Sequence, residues 1–320
     1  MTSPVIVPVY LGCCPDPLDR CRLCSPSPPV PTVDFVSAMI ENYRRHPRND
    51  GSREMWVSFF GGAPPPVSLV QACDGLPVTV RVRPDLLTRG GAKSLGAVGV
   101  VSVELDVLTM VPNALKAVGR KYRSQRVLKM FTELRDMGFK VGAVLSPGLP
   151  HTTHQDCIDD ASRVAPLVDT VRIHPTLVYA DAHLREAHMD GTYTPLSIGQ
   201  AVTACSSMMD IFDAEGVAII RVGVQPGPDE TGRVVAGPFH PSFRELVEGR
   251  RTLQALIKLA DCTPPHQNVI IRCHPSDETR TRGPFNQNIR TLRADFKMQT
   301  LTVQVDVNLV RGSWRIEVVK

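Results

Sequence analysis

Four of the nine cysteines in this 320-residue sequence fall within a dozen positions: Cys13 and Cys14 in Gly12-Cys13-Cys14-Pro15, then Cys21 and Cys24 in Cys21-Arg22-Leu23-Cys24. They follow directly on the apolar run Val5-Ile6-Val7-Pro8-Val9-Tyr10-Leu11, which reads as a strand. Three thiolates presented by one loop at a strand end can hold three irons of a 4Fe-4S cluster, leaving the fourth iron open to a ligand. Zinc is the competing occupant, but its structural sites use a second Cys pair or a His pair that this loop lacks. The remaining cysteines (Cys73, Cys157, Cys205, Cys262 and Cys273) are scattered in apolar contexts and read as packing residues.

Two glycine-bearing strand ends could receive a ligand beside such a loop. Ser58-Phe59-Phe60-Gly61-Gly62-Ala63-Pro64 ends a strand in two glycines, which let a polar head approach exposed backbone amides. Val141-Gly142-Ala143-Val144-Leu145-Ser146-Pro147-Gly148 could take an adenine against its backbone, with Gly148 at the turn. Charged residues embedded in apolar runs are a third signal: Arg81, Arg83, Glu104, Arg172, His174 and Arg221. A charge in a strand must be paired or face a polar cavity. These residues therefore either converge on one mouth or staple the sheet internally.

The elements that must position them alternate. Strands are expected at Val5–Leu11, Met55–Phe60, Val78–Arg83, Val100–Leu105, Lys140–Leu145, Thr170–Thr176 and Ala218–Val224, with segments of helical period between them. Phe35, Val36, Met39, Ile40 and Tyr43 share one helical face. Ser124 is expected to cap a helix whose stripe is Val127, Leu128, Phe131 and Leu134, ended by Gly138; Ser197 starts another, with Gly216 behind it. Repeated β-then-α units predict a parallel sheet buried on both faces. The unit count suits an α/β fold in the form of a partial (β/α)6 TIM-like barrel, with the active site at the strands' C-terminal ends. After Glu248-Gly249-Arg250 the pattern changes to a short helix at Thr252–Ala260 and a small β-α-β-β unit. The expected domains are thus residues 1–250, the barrel, and residues 251–320, a C-terminal α+β module.

Composition is ordinary, at 42% hydrophobic and 21% charged, and no run of eighteen apolar residues predicts a membrane span. Met1-Thr2-Ser3-Pro4 leads into a strand without a signal-peptide pattern, so a cytoplasmic location is expected, with reduced thiols and no membrane partner. The net charge of +4 equals the excess from Ile271 to Lys320, where nine Lys/Arg face five Asp/Glu. A mildly basic module of that kind suits contact with phosphates.

The order of motifs resembles the radical SAM superfamily, and within it bacterial proteins similar to the radical SAM part of the Elongator catalytic subunit. The resemblance is carried by VRIHPTLVYADAHL (Val171–Leu184), AIIRVGVQP (Ala218–Pro226) and VAGPFHPSFRELVE (Val235–Glu248), and by VTVRVRPD (Val78–Asp85) and FFGGAPP (Phe59–Pro65). The tail from Asn268 to Arg293 is similar to that family's C-terminal piece, a reduced KH-like module. The resemblance implies a 4Fe-4S cluster and S-adenosyl-L-methionine (SAM) as cofactors. It also implies reductive cleavage to a 5′-deoxyadenosyl radical, an external electron donor, and tRNA modification as the candidate role. By the same resemblance Cys21, Cys24 and either Cys13 or Cys14 ligate the cluster. Gly61 and Gly62, followed by Ala63, meet the SAM amino group, and Glu104 approaches its ribose and carboxylate. Arg172, His174, Arg221, Gln225 and His240 line the substrate side.

The sequence also departs from that pattern. Seven residues separate Cys13 from Cys21, and six separate Cys14 from it, where the family usually has three. Ala63 stands where radical SAM proteins often carry Glu, Leu23 where an aromatic is common, and Leu108 where relatives tend to have Gln. Gly283-Pro284-Phe285-Asn286 holds only the first glycine of a KH-type GxxG. The sequence ends after the small module, so the acetyl-CoA chemistry of Elongator's acetyltransferase domain is not expected. The alternative to an enzyme is a catalytically inactive barrel serving as an RNA-binding or scaffolding protein.

Overall fold

A computed structural model of the chain describes residues 4–12, 21–23, 30–47, 49, 51–224 and 232–319. Seven β-branched runs form strands: β1 (Val5–Tyr10), β2 (Met55–Phe60), β3 (Val78–Val82), β4 (Val100–Leu108), β5 (Lys140–Leu145), β6 (Thr170–Ile173) and β8 (Ala218–Val222). Between the last two lies β7 (Val178–Tyr179), which pairs antiparallel with β9 (Val234–Ala236). The seven build one sheet in the order β1-β2-β3-β4-β5-β6-β8, every neighbour parallel. It curls into a half-barrel with β1 and β8 as its edges.

The strands alternate sharply between two faces. Val7, Val9, Val57, Phe59, Val80, Val82, Val103, Leu105, Val171 and Ile173 are wholly buried. The residues between them are Ser58, Thr79, Arg81, Ser102, Glu104, Asp106, Gly142, Arg172 and His174. Register partners such as Ser58 and Thr79, Arg81 and Glu104, or Glu104 and Gly142 point the same way, so these residues share one polar face. Both faces are buried, as expected, since Ser58, Thr79, Ser102, Glu104 and Asp106 are each at most 9% exposed, but the inner one is polar. A half-closed barrel packs helices only on its outer face, and its inner face lines a mouth.

The outer helices follow their sequence signals with two exceptions. Thr32 caps the helix Val33–Arg45, accepting from the Phe35 amide, and buries Val36 and Ile40 beneath it; Phe35 itself stays exposed. Ser197 and Gln200 form a reciprocal capping box at the head of Ile198–Ala214. Ser124, in contrast, is the first residue of Ser124–Asp136 rather than its cap. Arg123 takes the cap position without a side-chain bond, and Met130 joins the buried stripe in place of Leu128. Among the described residues no helix is long and apolar enough to cross a membrane.

The chain divides into two compact units, residues 1–239 and 240–320. In the second, one helix runs unbroken over Phe243–Ala260, through the Gly249 that reads in sequence as a break. Gly249 is tolerated there because Asn288 Nδ2 donates to its carbonyl at 2.9 Å, fixing the helix against Gln287–Asp295. The expected boundary at 250/251 thus falls inside this helix. Strands β10 (Asn268–Cys273), β11 (Thr300–Val305) and β12 (Trp314–Val319) form a sheet ordered β11-β10-β12, with β11 parallel and β12 antiparallel to β10. Leu256, Ala260, Ile271, Cys273 and Leu292 make its core. Gly283, Phe285 and Asn286 all carry positive φ, and the turn they form leaves the Phe285 ring 92% exposed.

Candidate active site

Parallel strands deliver their connecting loops to one rim, where the Gly61-Gly62-Ala63 turn lies beside Gly12 at the root of the cysteine loop. Leu11 N donates to Phe60 O at 2.8 Å, carrying the β1–β2 ladder one residue past each strand. The next residues, Gly12 and Gly61, approach so closely that a Cβ on Gly61 would lie 2.8 Å from the Gly12 carbonyl oxygen and 3.0 Å from Leu11 Cβ. Only glycine fits, and its reason is close packing against the root of the cysteine loop. Gly62 accepts from Arg83 N at 2.9 Å, so the Gly61-Gly62-Ala63 turn also locks onto the end of β3.

The cysteine loop returns on the far side of the mouth. Arg22 N donates to Val118 O at 3.2 Å, in the connection after β4, and Arg22 O accepts from Leu184 N at 2.9 Å, beyond β6. Leu23 packs with two rim clusters, one around Leu108, Leu115 and Leu149, the other around Val178, Leu184 and Tyr193. Cys21 is buried beside these anchors. The chain therefore leaves β1 at Gly12 and is fastened again among the β4 and β6 loops. Cys13, Cys14 and Cys24 lie outside the described residues, and so does Gln225. Among the described residues no three His, Cys, Asp or Glu side chains gather as a metal site.

Of the four loop cysteines Cys21 alone is described, buried beside the rim and held there by its neighbour's backbone. Burial pushes the thiols of Cys73 and Cys157 up to about 12, which disfavours the thiolate that a metal takes.

Below the rim the polar face is a network of ions. Asp106 accepts from Arg81 at 2.6 Å and from Arg120 at 2.9 Å, one carboxylate between two guanidinium groups. Arg172 Nε donates to Glu104 Oε2 at 2.8 Å, and its guanidinium lies 5.6 Å from the Phe60 ring centroid. Phe60 in turn stands 5.6 Å from Tyr10. Arg83 pairs with Asp85 at the end of β3, Nε to Oδ1 at 3.0 Å. The Glu104–Arg172 pair passes over Gly142 of β5, where a Cβ would sit 2.5 Å from Thr170 Oγ1 and 2.9 Å from Glu104 Cγ. Both sequence-level alternatives hold at once: the charges staple the strands, and they do so on the face that lines the mouth. Asp106, Arg120, Tyr10 and Phe60 were not singled out from sequence. The period-two pattern Glu104-Leu105-Asp106 was the available signal for the first of them.

His174 follows β6, tied by its amide to Leu145 O at 2.8 Å. Its Nε2 is shut off from solvent and makes no hydrogen bond among the described residues. Burial first, then the guanidinium groups of Arg81, Arg172 and Arg221, hold its pKa well below the usual imidazole range, so the ring is neutral. The unfolded chain takes up a proton near pH 6.5 that the folded ring refuses, so this residue's stabilising contribution is present above that pH and lost below it. At pH 5, relative to pH 7.5, His174→Gln is expected to recover about 2 kcal/mol of the wild-type loss in urea unfolding. Asp160 works in the opposite sense. Desolvation raises its pKa to about 6, despite bonds from Thr109 Oγ1 at 2.5 Å and Met110 N at 2.8 Å. Its contribution therefore grows as pH falls from 6 towards 4, and Asp160→Asn separates the two titrations.

Two further candidates take other places. Gly148, at φ +88°, has its carbonyl bonded by Tyr193 Oη at 2.6 Å, and a Cβ there would strike Leu196 at 2.8 Å. It lies beside a cavity of about 280 Å³ shared with Thr153, Cys157 and Gln200. His240 belongs to the second unit, where its Nδ1 accepts from Ser242 N at 3.1 Å.

Residues 168–255 match the family described as the Radical_SAM C-terminal domain. The tRNA uridine(34) acetyltransferase of Dehalococcoides mccartyi (strain CBDB1) is 28% identical over 133 residues, 40% of this chain and 28% of that protein. Elongator complex protein 3 of Dictyostelium discoideum is 28% identical over 120 residues, 36% of this chain and 22% of that protein. The match thus spans about a quarter of each curated relative's length. Among solved structures, the archaeal Methanocaldococcus infernus Elp3 with an N-terminal deletion (1–46) superposes with a TM-score of 0.63. It shares 18% identity, over 79% of this chain and 63% of that one. Residues 168–255 thus carry the match to the Radical_SAM C-terminal domain, and the half-barrel around them has the fold of the archaeal Elp3 structure and is similar in sequence to Elongator-type relatives.

Proposed function

We propose that the chain is a radical SAM enzyme whose cluster is held by Cys21, Cys24 and either Cys13 or Cys14, and whose substrate class is tRNA. The observation that carries this reading is the return of Cys21 to the strand-end rim across from the Gly12–Gly61 contact. When bound and reduced by an external electron donor, the cluster and SAM supply a 5′-deoxyadenosyl radical that abstracts hydrogen from a substrate. The chain's own residues prepare the setting. The Gly61-Gly62-Ala63 turn offers backbone to the SAM amino group. Glu104, fixed by Arg172, presents a buried carboxylate that would face the ribose of bound SAM. Arg172, His174 and Arg221 form the substrate side, flanked by the Phe60 ring and, beyond it, Tyr10.

Protein purified without oxygen is expected to be brown, to contain iron, and to release 5′-deoxyadenosine when SAM and a reductant are added. Colourless protein without iron after reconstitution would overturn the reading in favour of a non-catalytic barrel.

The tRNA assignment draws on the similarity to the tRNA uridine(34) acetyltransferase of Dehalococcoides mccartyi and on the basic second unit. In that unit Arg280 is committed to Glu248 and Asp277, and Arg282 to Glu278, so both are structural. Arg290, Arg293 and Arg315 are exposed. Reversing these three charges is expected to weaken tRNA binding and to lower the salt slope by about one for each lost phosphate contact. An unchanged slope removes RNA from the proposal.

A further inference from the structure

We infer that the inner face of the half-barrel holds a subsite for an oxyanion, a carboxylate or phosphate borne by the substrate, centred on Arg221 beside Arg172 and His174. The inference rests on the reading of this face as the substrate side, and it names the chemistry that side selects.

The argument begins with charge. Arg81, Arg120, Arg172 and Arg221 share this face, where Asp106 accepts from the first two and Glu104 from the third. Arg81, Arg120 and Arg172 each have a carboxylate partner. Arg221 has neither a hydrogen bond nor an ion pair among the described residues. Its position makes that costly. Arg172 and Arg221 are register partners on the adjacent strands β6 and β8, and like charges directly opposite repel. Arg172 is neutralised by Glu104 on the far side, which leaves Arg221 as the cation facing the lumen. Burial and the nearby Arg172 both work against its charge.

His174 completes the pole. It lies two residues beyond Arg172 on the same strand face, and its neutral ring has one nitrogen with no partner. A neutral imidazole can donate one hydrogen bond without adding charge. A guanidinium fork presents two parallel N–H groups to a carboxylate or phosphate, a match a lysine cannot make. An oxyanion bridging Arg221 and His174 would neutralise the odd guanidinium and satisfy the orphan nitrogen together. The adjoining Tyr10 and Phe60 rings would flank it with apolar surface.

The test uses the full chain without SAM and two simple probes, inorganic phosphate and acetate, followed by calorimetry. Saturable binding of at least one probe is expected, weakened tenfold or more by Arg221→Gln and to an intermediate degree by Arg221→Lys, which keeps the charge without the fork. The probe bound more tightly identifies phosphate or carboxylate as the preferred source. Circular dichroism and urea unfolding check that both variants fold. The inference is overturned if the wild type binds neither probe, or if Arg221→Gln binds as tightly as wild type. It is also overturned if SAM displaces the probe, since the subsite would then belong to the cofactor's own carboxylate. Iron content and 5′-deoxyadenosine release are read separately. Protein that binds the probe yet holds no iron keeps the oxyanion subsite and loses only the radical reading.

Discussion

Asp106→Asn is expected to be the most destabilising single substitution in the half-barrel, by about 3–5 kcal/mol. The reason is arithmetic of charge rather than lost contact. The Asp106 carboxylate serves Arg81 and Arg120 together, and the Arg120 side chain is only 2% exposed. Asparagine has the same shape and can still accept a hydrogen bond, but it removes the carboxylate charge that two guanidinium groups share, one of them almost fully buried. Urea unfolding should show the midpoint move with the slope unchanged, and the thermal transition should drop by about 10 °C. The exposed Glu41–Arg45 pair, one turn apart on its helix, provides the contrast: Glu41→Gln should change stability by less than 1 kcal/mol. A loss at Asp106 no larger than that at Glu41 would mean that Arg120 finds another carboxylate, and the network drawn here would be wrong.

The second large effect is expected at Cys21. Cys21→Ala should reduce bound iron from about four per chain to less than one after anaerobic reconstitution, and abolish the brown colour. Folding should survive, because the segment is anchored through the backbone of Arg22 and the side chain of Leu23. Cys205→Ala is the matched control: its thiol is buried in a helix, with a pKa raised well above the ordinary range by burial, and the sequence reads it as a packing residue. Full iron occupancy in Cys21→Ala would remove this residue from the ligand set. Equal loss in both variants would point to damage of the fold.

Much of the sheet was legible because parallel strands advertise themselves as short β-branched runs between helical segments. β2 and β5 begin and end where the pattern places them, and all seven expected strands join one sheet. The errors cluster where tertiary contacts override a local signal. Gly249 reads as a helix break, yet the amide of Asn288, thirty-nine residues away, supports the helix through it. Ser124 has cap chemistry, yet it is buried inside the first turn. β4 runs three residues past its expected end, to a Leu108 at φ +63°, and that extension is what brings Asp106 into the sheet.

The candidate site was legible in its residue types and not in its pairings. Buried charges announce that something must neutralise them, so Arg81, Glu104, Arg172, His174 and Arg221 could be picked out. Which carboxylate meets which guanidinium depends on strand order. Glu104 and Arg172 are sixty-eight residues apart and meet across a strand that belongs to neither. Local sequence carries no trace of such a contact. The same holds for Gly61, whose two-glycine signature suggests ligand approach, while its measured constraint is the Gly12 carbonyl pressed against it.

The missing side chain at position 142 has a mechanical consequence. Because the carboxylate of β4 and the guanidinium of β6 join above it, β5 is strapped down by a bond to which it contributes only vacancy. Peeling that strand away requires breaking an ion pair between its two neighbours, so the middle of the sheet opens as a block of three strands or not at all. Slow amide exchange should therefore concentrate there, far from the edges β1 and β8. The rim loops stand on a floor that does not flex strand by strand.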